Sequence, residues 1–385
     1  MTNTVEIFCS EVLKYISFKE AHPDIKKELV MHIEEKVDYY ICSGLSEEDA
    51  YHKSVEEMGE PKEIGIEFNK VYKSQVQWQV VLGIVTLSVL SILGLSQIVG
   101  VKQLIYVVIG ISLMGLMYKL NYRVLVNKSK ILYICGIVLS IIALTHGIKI
   151  NNTLFLSMGC ISIDIHFFIN ILFVIAIASE VGKLDKGDWS GCIKTGGLIL
   201  VTIGLVYFTS DISNFITTSI VLLSIFAVHL LNIYKSIKLK SKQFMVILSG
   251  AIFIITIYAI LFTDNIVNIL IPENRYWSYE GALLIKKYGV AVFILILLIF
   301  IRVIYSMINC SLKLKHRKSY YLALAIVIFI SCKLVISLVS GLGLVSYMRV
   351  SIPFICYGGS SYLSDCIFVG LFLSMWRRRL LNTQT

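Results

Sequence analysis

The stretch 333-KLVISLVSGLGLVSYMRVSIPFICYGGSSYLSDCIFVGLFLSMWRRR-379 sets two apolar runs around a short segment rich in Gly, Ser and Tyr, and closes on three arginines. A helix needs about 20 mostly apolar residues to cross the roughly 30 Å hydrocarbon core of a bilayer. Runs of that length recur upstream as far as Trp78. They predict ten spans, starting near Gln79, Gln103, Ile131, Ile163, Gly196, Phe215, Phe244, Tyr288, Tyr321 and Tyr362. The fold class is therefore all-α: a polytopic membrane protein, residues 76–385, behind a small helical domain, residues 1–75. Composition agrees, with 57% hydrophobic and 16% charged residues in 385 and a mean hydropathy of +0.79.

Lys and Arg set the orientation, because short cytoplasmic loops carry their excess. With the N-terminus inside, the inner loops hold Lys119, Arg123, Lys128 and Lys130, then Lys183, Lys186 and Lys194, then Lys235, Lys238, Lys240 and Lys242, then Lys313, Lys315, Arg317 and Lys318. Arg377, Arg378 and Arg379 follow the last span. The outer loops hold only Lys102, Lys149, Arg275, Lys286, Lys287 and Arg349. Both termini are thus expected in the cytoplasm of a multi-pass membrane protein. The net charge of +10 is spread over these loops, which fits anionic lipid head groups and argues against nucleic acid as a partner. Nine cysteines without a CxxC pair read as small buried residues.

Residues 1–75 are polar, with no continuous apolar core of a signal peptide. Asp24 is placed to cap a helix whose apolar face is Ile25, Leu29, Ile33, Val37 and Tyr40, ended by Gly44. Ser46 and Asp49 form a capping-box pattern for a second helix that stops at Gly59. Pro61 suits the first turn of a third, carrying Ile64, Phe68 and Val71. The segment 24-DIKKELVMHIEEKVDYYICSGLSEEDAYHKSVEEMGEPKEI-64 resembles the small cytoplasmic domain that precedes bacterial permease-like proteins. That resemblance implies an interaction or regulatory module with a cytoplasmic partner; the alternative is a plain solvated three-helix cap.

The C-terminal stretch resembles the SEDS family, the FtsW/RodA/SpoVE proteins of bacterial division, shape and sporulation. Gly343, Leu344, Pro353, Phe354, Ile355, Tyr357, Gly358, Gly359, Ser360 and Ser361 fall in register with its signature, and Gly370, Leu371, Leu373 and the Arg triplet follow. Ser337, Ser346, Arg349 and Ser351 stand where the family has Asn, Pro, Gly and Pro, and Cys356 stands where Ser is usual. In physical terms, Gly358 and Gly359 permit positive φ and close approach, and Ser360 and Ser361 are placed to cap the last helix.

The resemblance implies a ten-helix bundle for peptidoglycan assembly: polymerisation of lipid II beside a class B penicillin-binding protein, with an outer-loop Asp acting on the acceptor hydroxyl. It leaves room for a divalent cation, though no ligand cluster marks a site. The outer cavity and family motif would comprise Asp211, Pro353, Phe354, Tyr357, Gly358, Gly359, Ser360 and Ser361. In 264-DNIVNILIPENRYWSYEGALLIKKYG-289 the family Asp position falls at Ser278 or Trp277, neither of which can be a carboxylate base. Glu280 and Glu273 are the acids that could substitute. Glu280 lies two residues on, about 200° around a helix.

Asp211, in 209-TSDISNFITT-218, is read either as a cap for the next span or as a cavity residue. In 162-SIDIHFFIN-170 the family's Glu and Lys positions are Ile165 and Phe168. Asp164 and His166 sit close by at the span's outer edge and are not read as ligands. Three function classes remain: a divergent lipid II polymerase, a non-catalytic scaffold or regulator that binds a lipid-linked precursor or a penicillin-binding protein, and a lipid or small-molecule transporter. The absent acid favours the second for the chemistry.

Overall fold

A computed structural model describes residues 3–73, 75–99, 101–150, 153–158, 161–185, 187–234, 280–341, 350–356 and 358–381. The chain divides into two units, Met1–Val76 with Arg377–Thr385, and Gln77–Trp376.

The first unit has four α-helices: α1 (Asn3–Lys14), α2 (His22–Cys42), α3 (Glu47–Glu56) and α4 (Pro61–Tyr72). Helix α2 buries the expected face, Ile25, Leu29, Ile33, Val37 and Tyr40. It starts at His22 rather than after Asp24, so Asp24 lies in the first turn, where its charge complements the helix dipole. The Ser46 side chain accepts from Asp49 N as a capping box requires, and Gly44 and Gly59 take φ of +95° and +91°, which suits glycine at a helix end. Helix α1 was not foreseen; Val5, Phe8, Cys9 and Val12 put its buried face at helical spacing. Val71 is exposed, and Tyr72 instead packs on the core, its hydroxyl donating to Glu28 at 3.1 Å.

The C-terminal tail, from Arg377, also packs in this unit. Arg378 is 1% exposed and donates to Glu20 through Nε at 2.5 Å and Nη2 at 2.8 Å. The Arg377 guanidinium stacks 5.1 Å from the Phe18 ring centroid, Arg379 donates to Gln75, and Leu381 joins the buried core. A planar guanidinium on one carboxylate is a geometry that Lys cannot reproduce.

The second unit is a membrane bundle: α5 (Trp78–Val99), α6 (Val101–Lys119), short α7 (Tyr122–Asn127), α8 (Ser129–His146), α9 (His166–Lys183), α10 (Trp189–Thr209), α11 (Ile212–Tyr234), α12 (Glu280–Leu312), α13 (Arg317–Gly341) and α14 (Gly359–Arg377). Seven of the described helices are long and apolar enough to cross a membrane. Of those stretches, α9 and α13 are 72% and 78% buried and the other five 22% to 44%, so α9 and α13 form the centre and the rest face outward. Helix α14 is not among the seven, yet it is buried along almost its whole length. Enclosure by protein lets it carry Ser, Gly and Asp that lipid would penalise. Its Gly370 allows α6 to come close: a Cβ there would lie 2.6 Å from Met117 Cβ and 2.7 Å from the Met114 carbonyl.

Two details depart from expectation. The span expected from Gly196 begins at Trp189, because Asp188 caps it by accepting from Gly191 N at 2.8 Å. Between α8 and α9 lies a three-stranded antiparallel sheet, β1 (Ile148–Ile150), β2 (Thr153–Met158) and β3 (Ile161–Asp164), in the order β1-β2-β3. The span expected near Phe244 lies outside the described residues.

Glu20→Ala removes the carboxylate from a buried guanidinium and is expected to destabilise the first unit by about 1–3 kcal/mol. Amide exchange along α2 in the full-length protein would report it as faster exchange; Glu20→Asp should lie between the two.

Candidate functional site at one end of the bundle

The motif segment folds into a tight turn. Ile355 N donates to Ile352 O at 3.1 Å, Pro353 supplies the fixed φ that a turn's second position favours, and Phe354 takes φ +60°. Glycine normally occupies such a position, and an aromatic there costs on the order of 1–3 kcal/mol. Burial outweighs that cost: Phe354 is 0% exposed and meets the Tyr362 ring edge-on at 6.5 Å, and losing a buried Phe costs about 3–5 kcal/mol. The positive φ expected at Gly358 and Gly359 thus falls on Phe354. Gly359 is needed for close approach, since a Cβ would sit 2.6 Å from the Tyr106 ring. Ser360 and Ser361 lie inside the first turn of α14, which starts at Gly359, and are not its caps. Tyr357 lies outside the described residues.

Beneath the turn is a buried ion pair. Lys333 Nζ of α13 contacts both oxygens of Asp365 at 2.8 Å and donates to Ser361 Oγ at 2.7 Å, with the two charged side chains 3% and 0% exposed. Asp365 Oδ2 also accepts from Phe354 N at 3.3 Å, which holds the strained residue. Ser351 Oγ lies 3.0 Å from Ser361 Oγ. Lys333 Nζ is 5.4 Å from the Phe167 ring centroid, which ties α9 into the cluster. Neither Lys333 nor Asp365 was assigned a role from the sequence, although ionisable residues inside two spans are a recognised functional signal.

A second polar group adjoins the corner. Asp164 N donates to Ser360 Oγ at 3.3 Å, and Asp164 Oδ1 lies 2.9 Å from His166 Nδ1. Asp211 caps α11: its Oδ1 accepts from Asn214 N at 3.2 Å and Nδ2 at 2.6 Å. Burial raises the Asp211 carboxyl above the usual carboxylate range and Asp164 adds to the rise, against the pull of His166 and the two Asn214 donors. The capping reading of Asp211 holds, and the same side chain comes within electrostatic reach of Asp164 and His166. The structure thus brings together Pro353, Phe354, Gly359, Ser360 and Ser361 of the motif. Glu280 is the first residue of α12, while Glu273, Ser278, Trp277 and Asp264 lie outside the described residues. Among the described residues no group of three His, Cys, Asp or Glu is placed to hold a metal ion, so no step is derived through one.

The fold and this corner define an integral membrane protein with a polar site at one end of its bundle. Residues 282–380 match the family profile of the FtsW/RodA/SpoVE "Cell cycle protein" family. The crystal structure of the Thermus thermophilus rod shape determining protein RodA is similar at a TM-score of 0.63 and 15% identity, covering 80% of this chain and 98% of that one. A point mutant of that RodA gives the same TM-score and identity, over 80% and 99%. A chain from a structure describing coordination of polymerization and crosslinking by a peptidoglycan synthase complex matches at a TM-score of 0.62 and 16% identity, over 80% and 99%. No curated protein matches the chain. The profile match covers only the C-terminal part of the chain, residues 282–380, and the structural likeness at 15–16% identity shows the fold.

Lys333→Met leaves Asp365 buried without its counter-charge and is expected to destabilise the bundle by about 3–5 kcal/mol. The double variant Lys333→Met/Asp365→Leu should recover most of that loss, since a buried pair replaced as a unit by apolar residues is often near neutral. Thermal unfolding of the detergent-solubilised protein would measure both.

Proposed function

We propose that this protein binds a lipid-linked cell-wall precursor, lipid II or a close relative, at the outer end of its bundle and works beside a class B penicillin-binding protein. The observation that carries this reading is the corner at 351–361, where the family motif is clasped by Lys333 and Asp365 and touches Asp164 through Ser360. Polar groups converging at the end of an apolar bundle suit a ligand with a sugar head and a lipid tail. Similarity to a chain from a peptidoglycan synthase complex supports the partner.

The same reading places the protein in the bacterial cytoplasmic membrane, with both termini and residues 1–75 in the cytoplasm. Two observations support that topology. Lys and Arg crowd the loops assigned to the inside. The tail from Arg377 also shares a unit with the N-terminal helices, so the chain crosses an even number of times. Nine long helices are described between them, and the apolar run near Phe244 supplies a tenth span. Residues 1–75 then serve as an interaction or regulatory module for a cytoplasmic partner.

For chemistry, the non-catalytic reading is favoured because Ser278 or Trp277 takes the position of the family's outer-loop acid. In the catalytic alternative, Glu280 or Glu273 accepts the proton of the acceptor hydroxyl as the glycosidic bond forms; Glu280, opening α12, is the better placed in sequence. Purified protein with lipid II, with and without a candidate penicillin-binding protein, separates the two. Retention of lipid II with no glycan polymer under any pairing is expected. Polymer that disappears in Glu280→Ala would establish the catalytic alternative, and failure to retain lipid II at all would overturn the binding reading.

A further inference from the structure

Helix α9 enters the bundle with His166 and Asn170 four residues apart, hence on one face and one turn from each other. Each is 1% exposed, and each uses only half of its hydrogen-bonding capacity. His166 Nδ1 is engaged by Asp164 Oδ1, while its Nε2 has no partner among the described residues. Asn170 Oδ1 accepts from Thr218 Oγ1 at 3.1 Å, while its Nδ2 likewise has none among the described residues.

Buried polar atoms are almost always paired, so two orphans a turn apart on one helix face call for an explanation. Their chemistry is complementary. The Asp164 carboxylate selects the tautomer with the proton on Nδ1, which leaves a lone pair on Nε2. Asn170 Nδ2 offers N–H. One hydroxyl both donates and accepts, so a single ligand oxygen has the chemistry that both atoms need. The Cβ atoms of such a pair are roughly 5–6 Å apart, a span that two hydrogen bonds of about 2.9 Å meeting on one oxygen can bridge.

We propose that His166 Nε2 and Asn170 Nδ2 hold a sugar hydroxyl of the lipid-linked precursor, with Asp164 the residue that positions the imidazole. This deepens the precursor-binding reading and rests on it. Ser360 extends the arrangement to the corner by accepting from Asp164 N.

The test uses full-length protein in lipid nanodiscs with two probes, lipid II and undecaprenyl phosphate, which lacks the sugar. His166→Ala and Asn170→Ala are each expected to weaken lipid II binding about tenfold and to leave undecaprenyl phosphate unchanged. Asp164→Asn should lose a similar factor, and Asp164→Glu, which restores the carboxylate, should recover part of it. Thermal unfolding of each variant identifies any that fails to fold, and His166→Gln then replaces His166→Ala, with the same loss expected. Variants that bind lipid II like the wild type would overturn the proposal and leave the two atoms to buried water. Equal losses for both probes would overturn it in favour of a structural role. Wild-type protein that binds neither probe would overturn the precursor reading, and this inference with it.

Discussion

One end of the bundle depends on the buried Lys333–Asp365 pair. Removing two charges from water is costly, and attraction repays that cost only when the remaining donors and acceptors are also satisfied. Here they are: the ammonium reaches both carboxylate oxygens and Ser361, and the carboxylate takes Phe354 N as well. The pair therefore does more than join α13 to α14. It fixes the turn that forces Phe354 into positive φ and holds the first turn of α14. Through the Phe167 ring it also sets the start of α9. Asp164 and His166 open that same helix and contact the same corner, so their geometry is downstream of a single ion pair.

The first unit repeats the device with different chemistry. Glu20 receives two arginines of the tail, Arg378 in a fork and Arg377 at 3.5 Å. Arginines after a final span ordinarily mark the cytoplasmic side and stay hydrated near lipid head groups. Here one is fully enclosed. The first unit is thus built from both ends of the chain, Met1–Val76 and Arg377–Thr385.

Most of the architecture was legible because membrane helices announce themselves by length and apolarity alone. The motif at 353–361 was legible as a pattern, and the Ser46 cap and the first-turn Pro61 as local chemistry. What escaped has physical reasons. The strands β1 to β3 are too short to give a pattern distinct from the apolar runs around them. The start of α10 was hidden by Trp189 through Thr195, a polar stretch that Asp188 nonetheless caps. Lys333 and Asp365 are 32 positions apart, so neither predicts the other without knowing that α13 and α14 lie side by side. Phe354 illustrates a different limit: glycines nearby drew the positive φ to themselves in the reading of the sequence, while burial and one hydrogen bond placed it on an aromatic residue.

The distribution of spent and unspent polar groups decides where chemistry can reside. Lys333, Asp365, Ser351 and Ser361 are committed to one another, and Asp211 is committed to its cap. Groups so engaged fix the shape of the corner. His166 and Asn170 differ, each retaining a buried atom with no partner among the described residues. The motif segment at 353–361 is itself held as a fixed corner by the bonds of Lys333 and Asp365. The unspent hydrogen-bonding capacity lies one helix away, on α9, beside Ile165 and Phe168.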